Sequence, residues 1–176
     1  YMLHLVSEQG VTLSVFEMPV FIKENEELHT FTVNQTICVA DSEKCITLDV
    51  STGVWDTLFS FDSYGFFQSL SYSSSGVIFS FKNLYGETVF YNLDETLSLK
   101  FISFDNSTIF NTADFMFTSP DSSAYICNSQ GIFHVSQTDQ MVLSWSNSCI
   151  DYSSIKDILF IDPSALFILY RPAANK

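Results

Sequence analysis

Val77-Ile78-Phe79-Ser80-Phe81-Lys82, then Asn83-Leu84-Tyr85-Gly86, then Glu87-Thr88-Val89-Phe90-Tyr91-Asn92-Leu93 is the stretch whose reading decides the fold. Val77, Phe79 and Phe81 alternate with their neighbours, and so do Val89, Tyr91 and Leu93. A period of two is that of a strand, whose successive side chains point to opposite faces. The four residues between the runs carry Asn and Gly, and Gly86 supplies the positive φ that a side chain would oppose. The stretch therefore predicts an antiparallel hairpin. Phe, Tyr, Val and Ile fill it, and these residues suit a pleated, packed surface.

The same unit recurs outward from this hairpin. Ile37 and Val39, then Ile46, Leu48 and Val50, read as two strands turning through Asp41 to Lys44. Tyr125 and Cys127, then Ile132 and His134, turn through Asn128 to Gly131. At the start of the chain Met2 to Val6 and Val11 to Val15 turn through Ser7 to Gly10. Leading strands precede the later hairpins at Leu70 to Tyr72, Phe115 to Phe117 and Ile158 to Phe160, and outer strands follow at Trp55 to Phe61, Leu97 to Phe104 and Met141 to Trp145. Helical spacing of apolar residues never lasts beyond about two turns. The one run of good helix formers, Lys23 to Leu28, makes a charged turn at most.

Leading strand, polar turn, hairpin and outer strand, repeated at about 40 residues, describe a four-stranded blade. On these residues the sequence resembles a β-propeller of the WD40-like type. Ser119-Pro120-Asp121-Ser122 resembles the turn after the innermost strand of such blades. The Gly-His and Trp-Asp signatures are missing. Thr47-Leu48-Asp49, Tyr91-Asn92-Leu93 and His134-Val135-Ser136 stand where Trp-Asp would fall. The expected fold is all-β, built of antiparallel four-stranded blades over one domain or propeller segment, 1–176. Approximate blades lie at 30–68, 69–113 and 114–154, with partial ones at 1–29 and 155–176. A propeller commonly closes with about seven blades, so the expectation is a partial ring, a segment of a longer chain or one completed by a partner. The first residue, Tyr1, is not Met and agrees with a segment. The alternative is a β-sandwich, which also uses short strands and polar turns but predicts no period of about 40.

Composition narrows the function. The 176 residues carry 20 Asp and Glu against 7 Lys and Arg, a formal charge of -13. Charged residues are 15% and apolar residues 47%, which excludes an acidic disordered tail. The acidic balance argues against nucleic acid, whose binders displace phosphate counterions with cationic side chains. With no apolar run of about 18 residues, membrane insertion is not expected. Neither a G-x-S-x-G elbow, nor H-E-x-x-H, nor a phosphate-binding glycine loop is present, so no catalytic residue, metal or cofactor is expected. Among many acidic residues none is singled out as a glycosidase pair. His4, His29 and His134 read as ordinary strand histidines, and Glu24, Glu26 and Glu27 as a solvated loop.

Four cysteines, Cys38, Cys45, Cys127 and Cys149, suit two disulfides, with Cys38 and Cys45 able to face each other across a hairpin. Asn34-Gln35-Thr36 and Asn106-Ser107-Thr108 are glycosylation sequons. Together they point to a secreted or cell-surface ectodomain binding a ligand or receptor. Free cysteines are also small buried hydrophobes, and the intracellular, reduced reading stands ahead of the secreted one. Tyr64, Phe66 and Phe67 lie in a loop between blades, where propellers commonly hold partners. The first expectation is thus a non-catalytic interaction module of a larger complex. It would bind other protein subunits, one of them able to complete the ring, through its loops and acidic surface.

Overall fold

The computed structural model describes residues 2–19, 27–73, 76–104, 113–119, 123–128, 130–136, 140–145, 155–162 and 165–170. The fold is all-β and almost wholly antiparallel; among the described residues two sheets are four-stranded, one is five-stranded and two are hairpins. The chain divides into two compact units, 1–63 and 64–176.

The first unit opens with a hairpin of β1 (Met2–Val6) and β2 (Thr12–Glu17). A four-stranded meander follows: β3 (His29–Val33), β4 (Thr36–Ala40), β5 (Lys44–Asp49) and β6 (Val54–Ser60), each antiparallel to the next. The β3–β4 connection is only Asn34 and Gln35, with φ of 45° and 65°. Two successive positive values define the type I′ turn, whose twist matches that of the flanking strands. A two-stranded ribbon is marginal alone in water, and β1–β2 is held by packing. Leu3, Leu28 and Trp55 pack half-buried against the buried Met18, Val39 and Ile46. The Trp55 indole N–H also donates to the Glu17 carbonyl at 3.0 Å.

The second unit begins with the meander of β7 (Phe66–Ser73), β8 (Gly76–Lys82), β9 (Thr88–Asp94) and β10 (Leu99–Phe101). After the two-residue β11 (Ser103–Phe104) come β12 (Ala113–Thr118), β13 (Ala124–Asn128), β14 (Gly131–Val135) and β15 (Gln140–Trp145), then the hairpin of β16 (Ile155–Asp162) and β17 (Ala165–Tyr170). Strand β8 is central and buried on both faces, which is why its sequence is nearly unbroken apolar residues. One face carries Ile78, which with Phe90 and Ile102 packs against Ala124, Ile126, Phe133 and Val135 of the β12–β15 sheet. Each such large side chain contributes about 1.5–3 kcal/mol on burial. Hydroxyls join the two sheets at their margin, where Ser71 and Thr118 lie 3.0 Å apart and Thr118 donates to the Tyr72 carbonyl.

One strand departs from the sequence reading. Leu97 to Phe104 is not a single outer strand. Leu97 sits at φ 60° inside the Asp94–Ser98 turn, so pairing with β9 starts only at Leu99. Ile102 is fully buried, and its N–H donates to the Phe90 carbonyl. Beyond it the chain leaves its own sheet, and β11 pairs in parallel with β15 of the next, making that sheet five-stranded. Residues 23–26 of the Lys23–Leu28 run, with the acidic Glu24 and Glu26, and the Pro120–Ser122 turn lie outside the described residues, while Glu27 and Leu28 are in no helix or strand. Among the described residues no helix is long and apolar enough to cross a membrane.

Candidate functional site

The loop of Tyr64, Phe66 and Phe67 leads into β7, and the register of that strand decides where each ring goes. Phe67 pairs with Phe81 and Phe66 with Lys82. Alternation then sends Phe67 to the face of Phe79 and Phe81 and leaves Phe66 on the other side. Phe67 is half-buried, with its ring 6.0 Å from Phe81 and 6.1 Å from Phe79. Tyr64 packs edge-on to Tyr91 at 4.9 Å and lies 5.8 Å from Phe81. Tyr91 in turn meets Phe101 at 5.5 Å. The rings thus form a ladder across all four strands, in offset and edge-on arrangements that stabilise aromatic pairs beyond area burial. Burial, and then the neighbouring Tyr64 hydroxyl, push the Tyr91 hydroxyl above its ordinary pKa.

Phe66 is different: it is 68% exposed. Beside it, past its partner Lys82, lies the β8–β9 turn, whose Leu84 and Tyr85 are each 89% exposed. Gly65 sits tightly against this turn. A Cβ there would lie 2.4 Å from the Lys82 carbonyl oxygen and 3.2 Å from the Asn83 Cα. The turn itself is stiff. The Asn83 N–H donates to the Glu87 carbonyl at 2.9 Å, and the Gly86 N–H to the Asn83 carbonyl at 3.0 Å. Asn83 Oδ1 accepts the Tyr85 and Glu87 N–H groups, both at 3.0 Å, while its amide donates to Glu87 Oε2 at 2.9 Å. Phe66, Leu84 and Tyr85 therefore stand at one end of one sheet, on a frame with little freedom left to lose.

Of the three residues singled out in the sequence, the structure leaves Phe66 alone at the surface and draws Tyr64 and Phe67 into the ladder. Leu84 and Tyr85 were read only as turn residues. The signal that could have found them is two large apolar side chains in the centre of a turn, where polar residues normally sit.

The remaining candidates lie apart. Asn34 is exposed in the β3–β4 turn, and Asn106 is outside the described residues. Cys38, Cys45 and Cys127 are buried free thiols, and Cys149 is outside the described residues. His134 pairs with Tyr125 across β13–β14, their rings 5.2 Å apart. His29 Nε2 lies 3.9 Å from Glu27. Among the described residues no cluster of three or more His, Cys, Asp or Glu is placed to hold a metal. Comparison of the chain with protein-family models, with curated proteins and with solved structures gave no match.

Proposed function

We propose that this chain is a non-catalytic interaction module of a larger protein complex, its four-stranded sheets serving as blades of a WD40-like propeller. The observation that carries the reading is the exposed trio of Phe66, Leu84 and Tyr85 on a stiff sheet end. Large apolar and aromatic side chains anchor interfaces when they enter a partner's pocket. A frame ordered beforehand by hydrogen bonds spares the entropy that a mobile loop would lose on docking. The charge of -13 favours a partner whose face is basic, since complementary charge speeds encounter and selects against wrong partners.

The test is affinity purification from the native source with the wild-type chain and with the triple variant Phe66→Ala, Leu84→Ser, Tyr85→Ser. The expected result is a defined partner subunit that the variant loses while its melting temperature stays unchanged, because these side chains are exposed. Full retention of the same partners by a folded variant would overturn the assignment of this sheet end. Substrate turnover by the purified chain, abolished by a single-site substitution, would overturn the non-catalytic reading.

A further inference from the structure

Cys38 and Cys45 lie on the adjacent strands β4 and β5. The register sets Cys38 opposite Thr47 and Cys45 opposite Ala40. The two cysteines are therefore not directly opposite, as the sequence alone allowed. They occupy the same face, one diagonal step apart. Both have 0% of their surface exposed, and both are free thiols. The two thiols act on each other electrostatically, and the Cys38 S–H donates to the Thr36 carbonyl at 3.7 Å.

We propose that Cys38 and Cys45 are a dithiol pair that closes reversibly to a cross-strand disulfide. The reaction is exchange with a low-molecular-weight disulfide. The Cys38 thiolate attacks one sulfur of the oxidant, forming a mixed disulfide and expelling one thiolate. The Cys45 sulfur then attacks the Cys38 sulfur, the protein S–S bond forms, the second small thiol leaves, and the Cys45 proton goes to it. Two protein thiols are oxidised and one small disulfide is reduced to two thiols. The order of attack follows from the surroundings. The interaction with Cys45 lowers the Cys38 thiol against the opposing effect of burial, with a smaller lowering from the Val33 backbone. The Cys38 partner, burial and the nearby Asp41 carboxylate raise Cys45. The thiolate is the attacking species, so Cys38 is the nucleophile and Cys45 the resolving thiol.

Two features make the bridge labile. Diagonal neighbours on paired strands stand about 7–8 Å apart at Cα, whereas an unstrained disulfide needs less than about 7 Å. Closing it must draw β4 and β5 together, and strain makes a disulfide easier to reduce. Full burial restricts attack to moments when the β3–β6 sheet opens, which slows formation without changing the product.

The test uses the purified wild-type chain and oxidised glutathione as the probe. After incubation the chain is denatured, alkylated, weighed intact and mapped by peptides. The expected result is a loss of two hydrogens from the intact mass, a peptide linking Cys38 to Cys45, and full recovery of both thiols with dithiothreitol. Cys45→Ser is expected to stop at one glutathione on Cys38. Alkylation of both cysteines after oxidation, or linkage of either to Cys127 or Cys149, would overturn the proposal. The wild-type map decides it even if the variant does not fold. It is independent of the partner reading, which rests on the other compact unit.

Discussion

Asp94 shows how much one side chain can settle. Its Oδ1 accepts the Thr96 N–H at 2.9 Å, the Thr96 hydroxyl at 2.6 Å and the Ser98 N–H at 3.1 Å, and its Oδ2 meets Lys100 Nζ at 2.7 Å. Lys100 first, and Thr96 next, hold this carboxyl well below the usual carboxylate range. A folded pKa below the unfolded value of about 3.9 means that the carboxylate stabilises the fold above that pH. The contribution is lost as pH falls through the folded value. Asp94→Asn keeps an acceptor for the turn but removes the ion pair. We expect urea midpoints of the variant to fall below wild type at pH 7 and the gap to close as pH drops below about 4. Gln35 is a second single-residue case. It is exposed and bears the left-handed backbone of the β3–β4 turn. Gln35→Gly is expected to stabilise the chain by about 0.5–1 kcal/mol in urea titration, the relief of left-handed strain exceeding the added freedom of the unfolded chain. At this scale the sequence was only partly legible. Phe66, Phe67 and Tyr64 look alike as aromatics in a loop. Only the register of β7 on β8 separates the exposed ring from the packed two.

The central hairpin of every four-stranded meander is closed by one device. Asp41, Asn83 and Asn128 end the second strand of their sheets. Each side-chain oxygen accepts two backbone N–H groups from the turn it begins. These short polar side chains favour turns because they offer the backbone a local partner. Asn128 is the most demanding of the three because it is buried, 2% exposed. Its Oδ1 takes the Gln130 N–H at 2.8 Å and the Gly131 N–H at 3.2 Å. Asn128→Ala strands these donors, and we expect a loss of about 1–3 kcal/mol by chemical denaturation. Such turns are why hairpin positions could be read from sequence: they rest on local chemistry within four or five residues. The end of β10 could not be read. The chain leaves its sheet because Ile102 is drawn into the core shared with the next sheet, and nothing within a few residues announces that.

Across the whole chain the excess of acidic residues is the governing property. With 20 acidic and 7 basic side chains, most carboxylates have no cation to meet. Like charges oppose the compact state, and salt screens them over a Debye length of about 10 Å at 0.1 M. We expect the melting temperature at pH 7 to rise as sodium chloride increases from about 20 mM to about 0.5 M. A fall would mean that pairs such as Asp94–Lys100 outweigh the general repulsion. The all-β class and the antiparallel meanders were legible at this scale because alternation and turn chemistry agree along most of the chain. The site was less so, since an interaction surface is defined by what packing leaves exposed.

Trp55 ties β1–β2 to the sheet beside it through its packed ring and its indole N–H. An indole reports the polarity around it in its emission. The chain thus carries its own optical gauge for one event. If the first hairpin lifts away, the ring meets water and its emission shifts to longer wavelength, while the backbone signal of the β3–β6 meander persists. With the second tryptophan replaced, Trp145→Phe, a fluorescence transition that precedes the loss of far-ultraviolet dichroism would time that detachment without any added label.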